Sequence, residues 1–258
     1  MAVLTGHIIA EANKDSNSVP TALGPNSRLT VELQDVSLMD APSVTLGEYI
    51  FITGSSEYLQ FPIPFRLKYD ITKVQPNQSI SIAARVVDVS TANEELKWTT
   101  TSRFSVITMG CPSDNVDVSI SYLSPSNETM QSQQPITLNT LSGKVVASQT
   151  VPTPSSAAGI GPNSKVQVQL LDVSLMDVPS VTLATQLITT GPNESRAFPI
   201  NFSLQYDPNG IDERHTYLVS VRVEDMDSED LIWITTTAYH VLTRNEPTDS
   251  IQVDIDLL

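Results

Sequence analysis

Cysteine is nearly absent. The 258 residues include one, Cys111, which excludes an internal disulfide framework and a cysteine-based zinc cluster. Basic residues are scarce too. Lys and Arg number 14 against 29 Asp and Glu, a formal net charge of −15, and no basic stripe is present to meet nucleic-acid phosphates or an anionic membrane surface. Apolar runs are short, none approaching the roughly 18–20 residues of a membrane-spanning helix. Met1 to Gly6 lacks the basic start and apolar stretch of a signal peptide. The expectation is a soluble chain, compatible with a secreted or periplasmic mature form. Charged residues make up only 17%, against a typical ~25%, while Ser, Thr, Val and Asn abound, as in sheets with polar faces.

What is present is repetition. Residues 24–46 (GPNSRLTVELQDVSLMDAPSVTL) recur at 161–183 (GPNSKVQVQLLDVSLMDVPSVTL), with 17 of 23 positions identical at an offset of 137. The register continues through Phe61–Phe65 and Phe198–Phe202, Tyr69-Asp70 and Tyr206-Asp207, and Arg85-Val86 and Arg222-Val223. It then shifts to 135, placing Leu96, Trp98 and Thr100 on Leu231, Trp233 and Thr235. The two-residue deletion falls between Asp88 and Leu96, a polar stretch that reads as a hairpin tip, where length changes are tolerated. A period this long, present twice, indicates two whole domains and not a solenoid. The expected division is 1–123, a linker at 124–136, and 137–258. Ser124–Pro135 lacks apolar periodicity and carries proline near both ends.

Within each copy the signals are β. Leu29–Leu33 and Val166–Leu170 alternate with period two, as do Ser79–Val87, Leu96–Thr100, Arg103–Thr108, Val116–Tyr122 and Ile251–Leu257. Gly-Pro-Asn at 24–26 and 161–163, and Asp207–Gly210, supply turns. Only Ser37–Ala41 and Ser174–Val178 carry a short helical-turn signal. The expected fold class is all-β: two tandem antiparallel β-sandwiches, or partly open β-barrels, of about seven to eight strands each. Pro62, Pro64 and Pro199 then belong on an edge strand, where a missing N–H costs no ladder bond.

Leu-x-Asp-Val-Ser-x-x-Asp is followed by Phe-Pro-Ile-x-Phe-x-Leu-x-Tyr-Asp, then Leu-x-Trp and an aromatic-x-Val strand. This series resembles the YbaY/YscW family of bacterial lipoproteins, named for type III secretion lipoprotein chaperones (pilotins). The matching residues are Asp35, Val36, Ser37 and Asp40, Phe61 to Asp70, and Leu96, Trp98, Phe104 and Val106. In the second copy they are Asp172 to Asp177, Phe198 to Asp207, Leu231, Trp233, Tyr239 and Val241. The resemblance covers nearly the whole chain, twice, and implies a small β-sandwich with a non-enzymatic role. The chain departs from the bacterial pattern in its tandem copy and in having no lipobox cysteine, since Cys111 sits in a Gly-Cys-Pro turn.

Asp35, Ser37 and Asp40, with Asp172, Ser174 and Asp177, have the look of a nucleophile among acids. A hydrolase also needs a base and an oxyanion site, and His7, His215 and His240 occupy non-equivalent positions in the two copies. The structural reading is a motif that caps a tight turn leaving a strand. Glu224–Asp230 packs five acids into seven residues but lacks the glycine and distal glutamate of a calcium loop, so a solvated hairpin tip is expected and no metal is assigned.

The candidate ligand-binding set comprises Trp98, Trp233, Tyr49, Phe51, Tyr58, Tyr69, Tyr206, Met39 and Met176. For the tryptophans and for Tyr69 and Tyr206 the alternative is plain core packing. Tyr49, Phe51 and Tyr58 have no aromatic counterpart at Gln186, Ile188 and Ser195. Met39 and Met176 bring flexible thioethers to a loop. No phosphate loop, dinucleotide fingerprint or triad supports an enzyme, and no catalytic cofactor is expected. The leading expectation is a non-catalytic protein holding an elongated apolar small molecule, a lipid or carotenoid-like polyene, within or between two domains. One alternative is a chaperone or pilotin-like module binding a hydrophobic peptide segment of a partner. Another is a structural extracellular tandem, its sequons at Asn77, Asn127, Asn193 and Asn201 glycosylated.

Overall fold

The computed structural model describes residues 1–11, 20–38, 42–90, 94–123, 137–148, 159–175 and 179–258. The expected linker at 124–136 and the side chains of Met39, Asp40, Met176 and Asp177 lie outside these residues. The chain divides into two units, Met1–Thr53 with Phe61–Met130, and Gly54–Gln60 with Gln131–Leu258.

Period-two alternation produces strands throughout. The first repeat supplies β1 (Ala2–Ala10), β2 (Ala22–Leu23), β3 (Ser27–Asp35), β4 (Val44–Ile52) and β5 (Tyr58–Gln60). It continues with β6 (Ile63–Tyr69), β7 (Ile80–Asp88), β8 (Glu95–Thr99), β9 (Phe104–Ser105) and β10 (Val116–Tyr122). In the first unit the strand order is β4-β3-β7-β8-β10-β1-β6, with β9 on β7.

The second repeat supplies β11 (Asn139–Ala147), β12 (Gly159–Ile160), β13 (Ser164–Asp172), β14 (Val181–Thr189) and β15 (Arg196–Ala197). Then come β16 (Ile200–Tyr206), β17 (Tyr217–Asp225), β18 (Leu231–Ile234), β19 (Tyr239–Val241) and β20 (Ile251–Leu257). Their order, β16-β11-β20-β18-β17-β13-β14, repeats that of the first unit, with β19 on β17 and a separate β12–β15 pair. β5 adds to the outer side of β14. Both sheets are nearly closed barrels, and their curvature has matching causes. Register shifts occur between Leu33 and Gln34 and between Leu170 and Leu171. A second pair lies between Val86 and Val87 and between Val223 and Glu224. Such bulges bend and twist a strand locally.

The purely antiparallel expectation fails where the first strand of a copy meets its last. β1 runs parallel to β10, from Gly6 opposite Val116 to Ala10 opposite Ile120. β11 runs parallel to β20, from Gly143 opposite Ile251 to Ala147 opposite Ile255. Strands joined through a whole intervening domain, with no hairpin turn between them, have no local constraint that would make them antiparallel. Glycine is required at this junction. A Cβ on Gly6 would lie 2.1 Å from the Val116 carbonyl oxygen and 2.8 Å from the Phe65 ring. On Gly143 it would lie 2.3 Å from the Ile251 carbonyl oxygen and 2.7 Å from the Phe202 ring.

The inward residues of each alternation form the core: Leu4, Ile8, Leu29, Val31 and Leu33 in one unit, Val166, Val168, Leu170, Val253 and Ile255 in the other, all fully buried. Each such side chain contributes ~1.5–3 kcal/mol by leaving water. The turn at Asp207–Gly210 is a single 3-10 turn over Pro208–Gly210, whose cap Asp207 accepts the Asn209 N–H at 2.9 Å. The described part of the two segments with a helical-turn signal, Ser37-Leu38 and Ser174-Leu175, is irregular.

Candidate functional site

The paired aromatics of the sequence lie in the two interiors. Trp98, on β8, is 3% exposed and packs between Phe61 at 5.2 Å and Tyr122 at 5.0 Å between ring centroids. Trp233, on β18, is 4% exposed and meets Phe198 edge-on at 5.5 Å. Tyr69 and Tyr206 are buried. These rings pack into their own units, with Tyr206 also bordering an open depression of the second unit. Met39 and Met176 fall outside the described residues.

Tyr49 and Phe51 lie on β4, the terminal strand of its sheet, opposite Val31 and Leu29 of β3. Both are half-buried, and burial pushes the Tyr49 hydroxyl up to about 12. The other face of the strand is open. Ile50 and Ile52, opposite Thr30 and Arg28, are 50% and 57% exposed, and Val44 on the same strand is 60% exposed.

The Asp-Val-Ser motif forms the same polar knot in both copies. Ser37 donates its N–H (2.9 Å) and hydroxyl (2.5 Å) to Asp35 Oδ1, and its Oγ accepts the Ser79 N–H at 2.9 Å. Gln78 Nε2 donates to Asp35 Oδ2 at 2.8 Å. In the second copy Ser174 donates in the same way to Asp172 Oδ1, and its Oγ accepts the Thr216 N–H at 2.8 Å. His215 Nδ1 lies 2.8 Å from Asp172 Oδ2. Partial burial works against the charge on Asp172, yet the Ser174 hydroxyl and N–H, with His215, hold its carboxyl below the usual range. The serine hydroxyl proton points to an aspartate whose other oxygen carries the histidine. The imidazole therefore does not reach the serine, and glutamine holds its place in the other copy. This knot ties the end of β3 or β13 to the entry of β7 or β17. Asp40 and Asp177 are not among the described residues.

At the acidic tip, Asp225 Oδ1 accepts the N–H groups of Asp227 (2.7 Å) and Ser228 (2.9 Å), and Asn163 Nδ2 donates to Asp227 at 2.7 Å. Among the described residues no three His, Cys, Asp or Glu side chains gather as a metal site. An open depression of about 750 Å³ lies in the second unit beside Asn139, Tyr206, Glu213 and Arg244.

The two sheets end differently, at residues the sequence left largely unmarked. In the first unit a Cβ on Gly47 of β4 would lie 2.7 Å from the Lys68 carbonyl oxygen on β6. The corresponding residue in the second unit is Ala184, and there β14 pairs in parallel with β5, Ala184 opposite Tyr58 and Thr185 opposite Leu59. Thr185 Oγ1 donates to Glu57 Oε1 at 2.6 Å, with both residues buried. Leu59 is fully buried. The Gln60 amide lies at the β16 edge, where the orientation that satisfies both of its atoms has the nitrogen donating to the Ser203 carbonyl at 3.2 Å and the oxygen accepting from the Gln205 N–H. Gln186 Oε1 accepts the Ser203 N–H at 2.8 Å. Burial, and then the nearby Asp207 carboxylate, raise the Tyr58 hydroxyl above its ordinary value. A short strand and side-chain amides thus span the seam between β14 and β16. Tyr58 was in the candidate set; Glu57, Gln60, Thr185 and Gln186 were not. Glu57 is shared with Glu194; the signal for the others is divergence between repeats, since Tyr58-Leu59-Gln60 corresponds to Ser195-Arg196-Ala197 and Thr185-Gln186 to Glu48-Tyr49.

Both halves match one known family. The profile of the family described as type III secretion system lipoprotein chaperone (YscW) matches residues 17–120 and again 136–253. The uncharacterized lipoprotein YbaY of Escherichia coli (strain K12) is 38% identical over 89 residues, 34% of this chain and 43% of that protein. The match thus spans under half the length of that curated relative. An alternative pilotin from the type II secretion system of Vibrio cholerae is 28% identical, with 48% of this chain and 97% of that chain covered, at a TM-score of 0.39.

Proposed function

The chain belongs to the type III secretion system lipoprotein chaperone (YscW) family, in two tandem copies, and from that premise we propose that it is a non-catalytic binding protein that holds a hydrophobic segment of a partner polypeptide. The observation that carries this reading is the family match in both halves. The geometry is in keeping with it. β4 presents Ile50 and Ile52 to solvent on its outer face, an apolar strip that the side chains of a hydrophobic peptide segment can meet. Each serine hydroxyl of the repeated motif donates to its aspartate and accepts a backbone N–H from the next strand, a tie between strands that favours capture over chemistry. An envelope location, in keeping with a relative that is a lipoprotein, belongs to the same proposal.

A lipid or carotenoid cargo has less support. Four of the candidate aromatics, Trp98, Trp233, Tyr69 and Tyr206, are buried in their own units, and Tyr49, Phe51 and Tyr58 are half-buried. Purification of the chain from its native source, with organic extraction run beside mass spectrometry of co-purifying polypeptides, separates the two. The expected result is a polypeptide released in proportion to the chain and no lipophilic molecule. A coloured or lipid-bearing extract with no polypeptide overturns the proposal.

A further inference from the structure

We propose that the seam between β14 and β16 is a strand-acceptor site and that Glu57–Gln60 is its resident strand, exchanged for an extended segment of a partner polypeptide of like chemistry. The class of ligand rests on the polypeptide-binding reading above; the site itself rests on separate observations. The resident strand pairs with β14 at two residues and is hydrogen-bonded along its other side as well, so an incoming segment has to replace both pairings. Its side chains define what the seam accepts. Position one offers an oxygen to the buried Thr185 hydroxyl. Position three is an aliphatic side chain with no exposure. Position four is a carboxamide, matched to one carbonyl and one N–H on the β16 edge.

The repeats supply an internal control. The preceding turn is kept in both, since Gly54 N–H donates to Glu57 Oε2 at 2.8 Å and Gly191 N–H to Glu194 Oε2 at 3.2 Å. Beyond the turn the copies part. Leu59 and Gln60 are buried, whereas Arg196 and Ala197 are exposed. The acceptor has diverged at the same time. Gly47 permits contact with β6 that a methyl group would block, and its counterpart in the open seam is Ala184. Tyr49 is replaced by Gln186, whose amide binds the Ser203 N–H. The seam and its occupant thus differ from their repeat counterparts in complementary ways.

The test uses fluorescein-labelled GSSEYLQ, the sequence of residues 54–60, titrated by anisotropy into the full chain and into full chain carrying Leu59→Asp with Gln60→Ala. The variant should bind the peptide at least tenfold more tightly than the wild type. Adding Thr185→Val should weaken that binding, and GPNESRA, from residues 191–197, should bind neither chain. Should the double variant fail to fold, Gln60→Ala alone should give a smaller gain in the same direction. Equal affinity for wild type and a folded variant overturns the proposal, as does absence of binding to a folded variant. A stable dimer of wild-type chains exchanging their own Glu57–Gln60 in place of the peptide also overturns it. Partner capture is then measured on the same variants. Capture indifferent to Leu59→Asp removes the seam and leaves the chaperone reading, whereas tight GSSEYLQ binding without partner capture supports the seam and removes that reading.

Discussion

At the residue scale the repeated Asp-Val-Ser motif illustrates how an apparent nucleophile can be a structural tie. The carboxylate of Asp172 accepts two bonds from Ser174 and faces His215, and it is ionised more readily folded than unfolded. A carboxyl with a depressed folded value stabilises the fold above its ordinary range and loses that contribution as pH falls through the folded value. Ser174→Ala should therefore cost about 1 kcal/mol at pH 7 and less at acid pH. Urea midpoints at both pH values check this, and an equal cost at each would contradict it. Because Gln78 occupies the place of His215 with the same bond to the aspartate, His215→Gln should shift stability by less than about 0.5 kcal/mol, measured by the same unfolding curves. The residue types and spacing of this motif were legible from the sequence. Its partners Gln78 and His215 were not, because they lie 43 residues downstream of their aspartates and meet them only through strand pairing.

Strands were the most legible elements, since β3 and β13 alternate so regularly that their inward faces can be read directly. The parallel β1–β10 and β11–β20 pairings were not, because no local turn encodes a contact between the ends of a copy. Those pairings depend on Gly6 and Gly143, so Gly6→Ala or Gly143→Ala should cost ~1–3 kcal/mol or more through overpacking, seen as a lower thermal midpoint. An unchanged midpoint would contradict the close approach. Trp98 was open between core and ligand-facing roles because sequence spacing does not say which side of a sheet is closed. Its burial between Phe61 and Tyr122 predicts that Trp98→Ala costs ~3–5 kcal/mol. Denaturant unfolding checks that figure, and a near-neutral change would mark the ring as a surface or ligand contact. The placement of β5 on β14 was the least legible feature. A three-residue strand has no periodicity to read, and only its divergence from Ser195–Ala197 marks it.

Over the whole molecule, a net charge of −15 accompanies a sequence pI near 4.4. Like-charge repulsion keeps chains apart even where an apolar strip is exposed. Light scattering should therefore rise as pH approaches 4.4, and Ile50→Asp with Ile52→Asp should reduce that rise; scattering indifferent to both substitutions would show that the strip takes no part in association. Duplication places the family framework in the chain twice, and that repetition was visible from the first reading. The class of cargo was not, because a filled core and an exposed edge strand have the same alternation in sequence. The most direct measurement is a binding titration of the full chain with a labelled extended hydrophobic peptide, run beside one with a lipophilic polyene. Saturable peptide binding and no polyene uptake is the predicted result; polyene bound in proportion to the chain, with the peptide ignored, would contradict it.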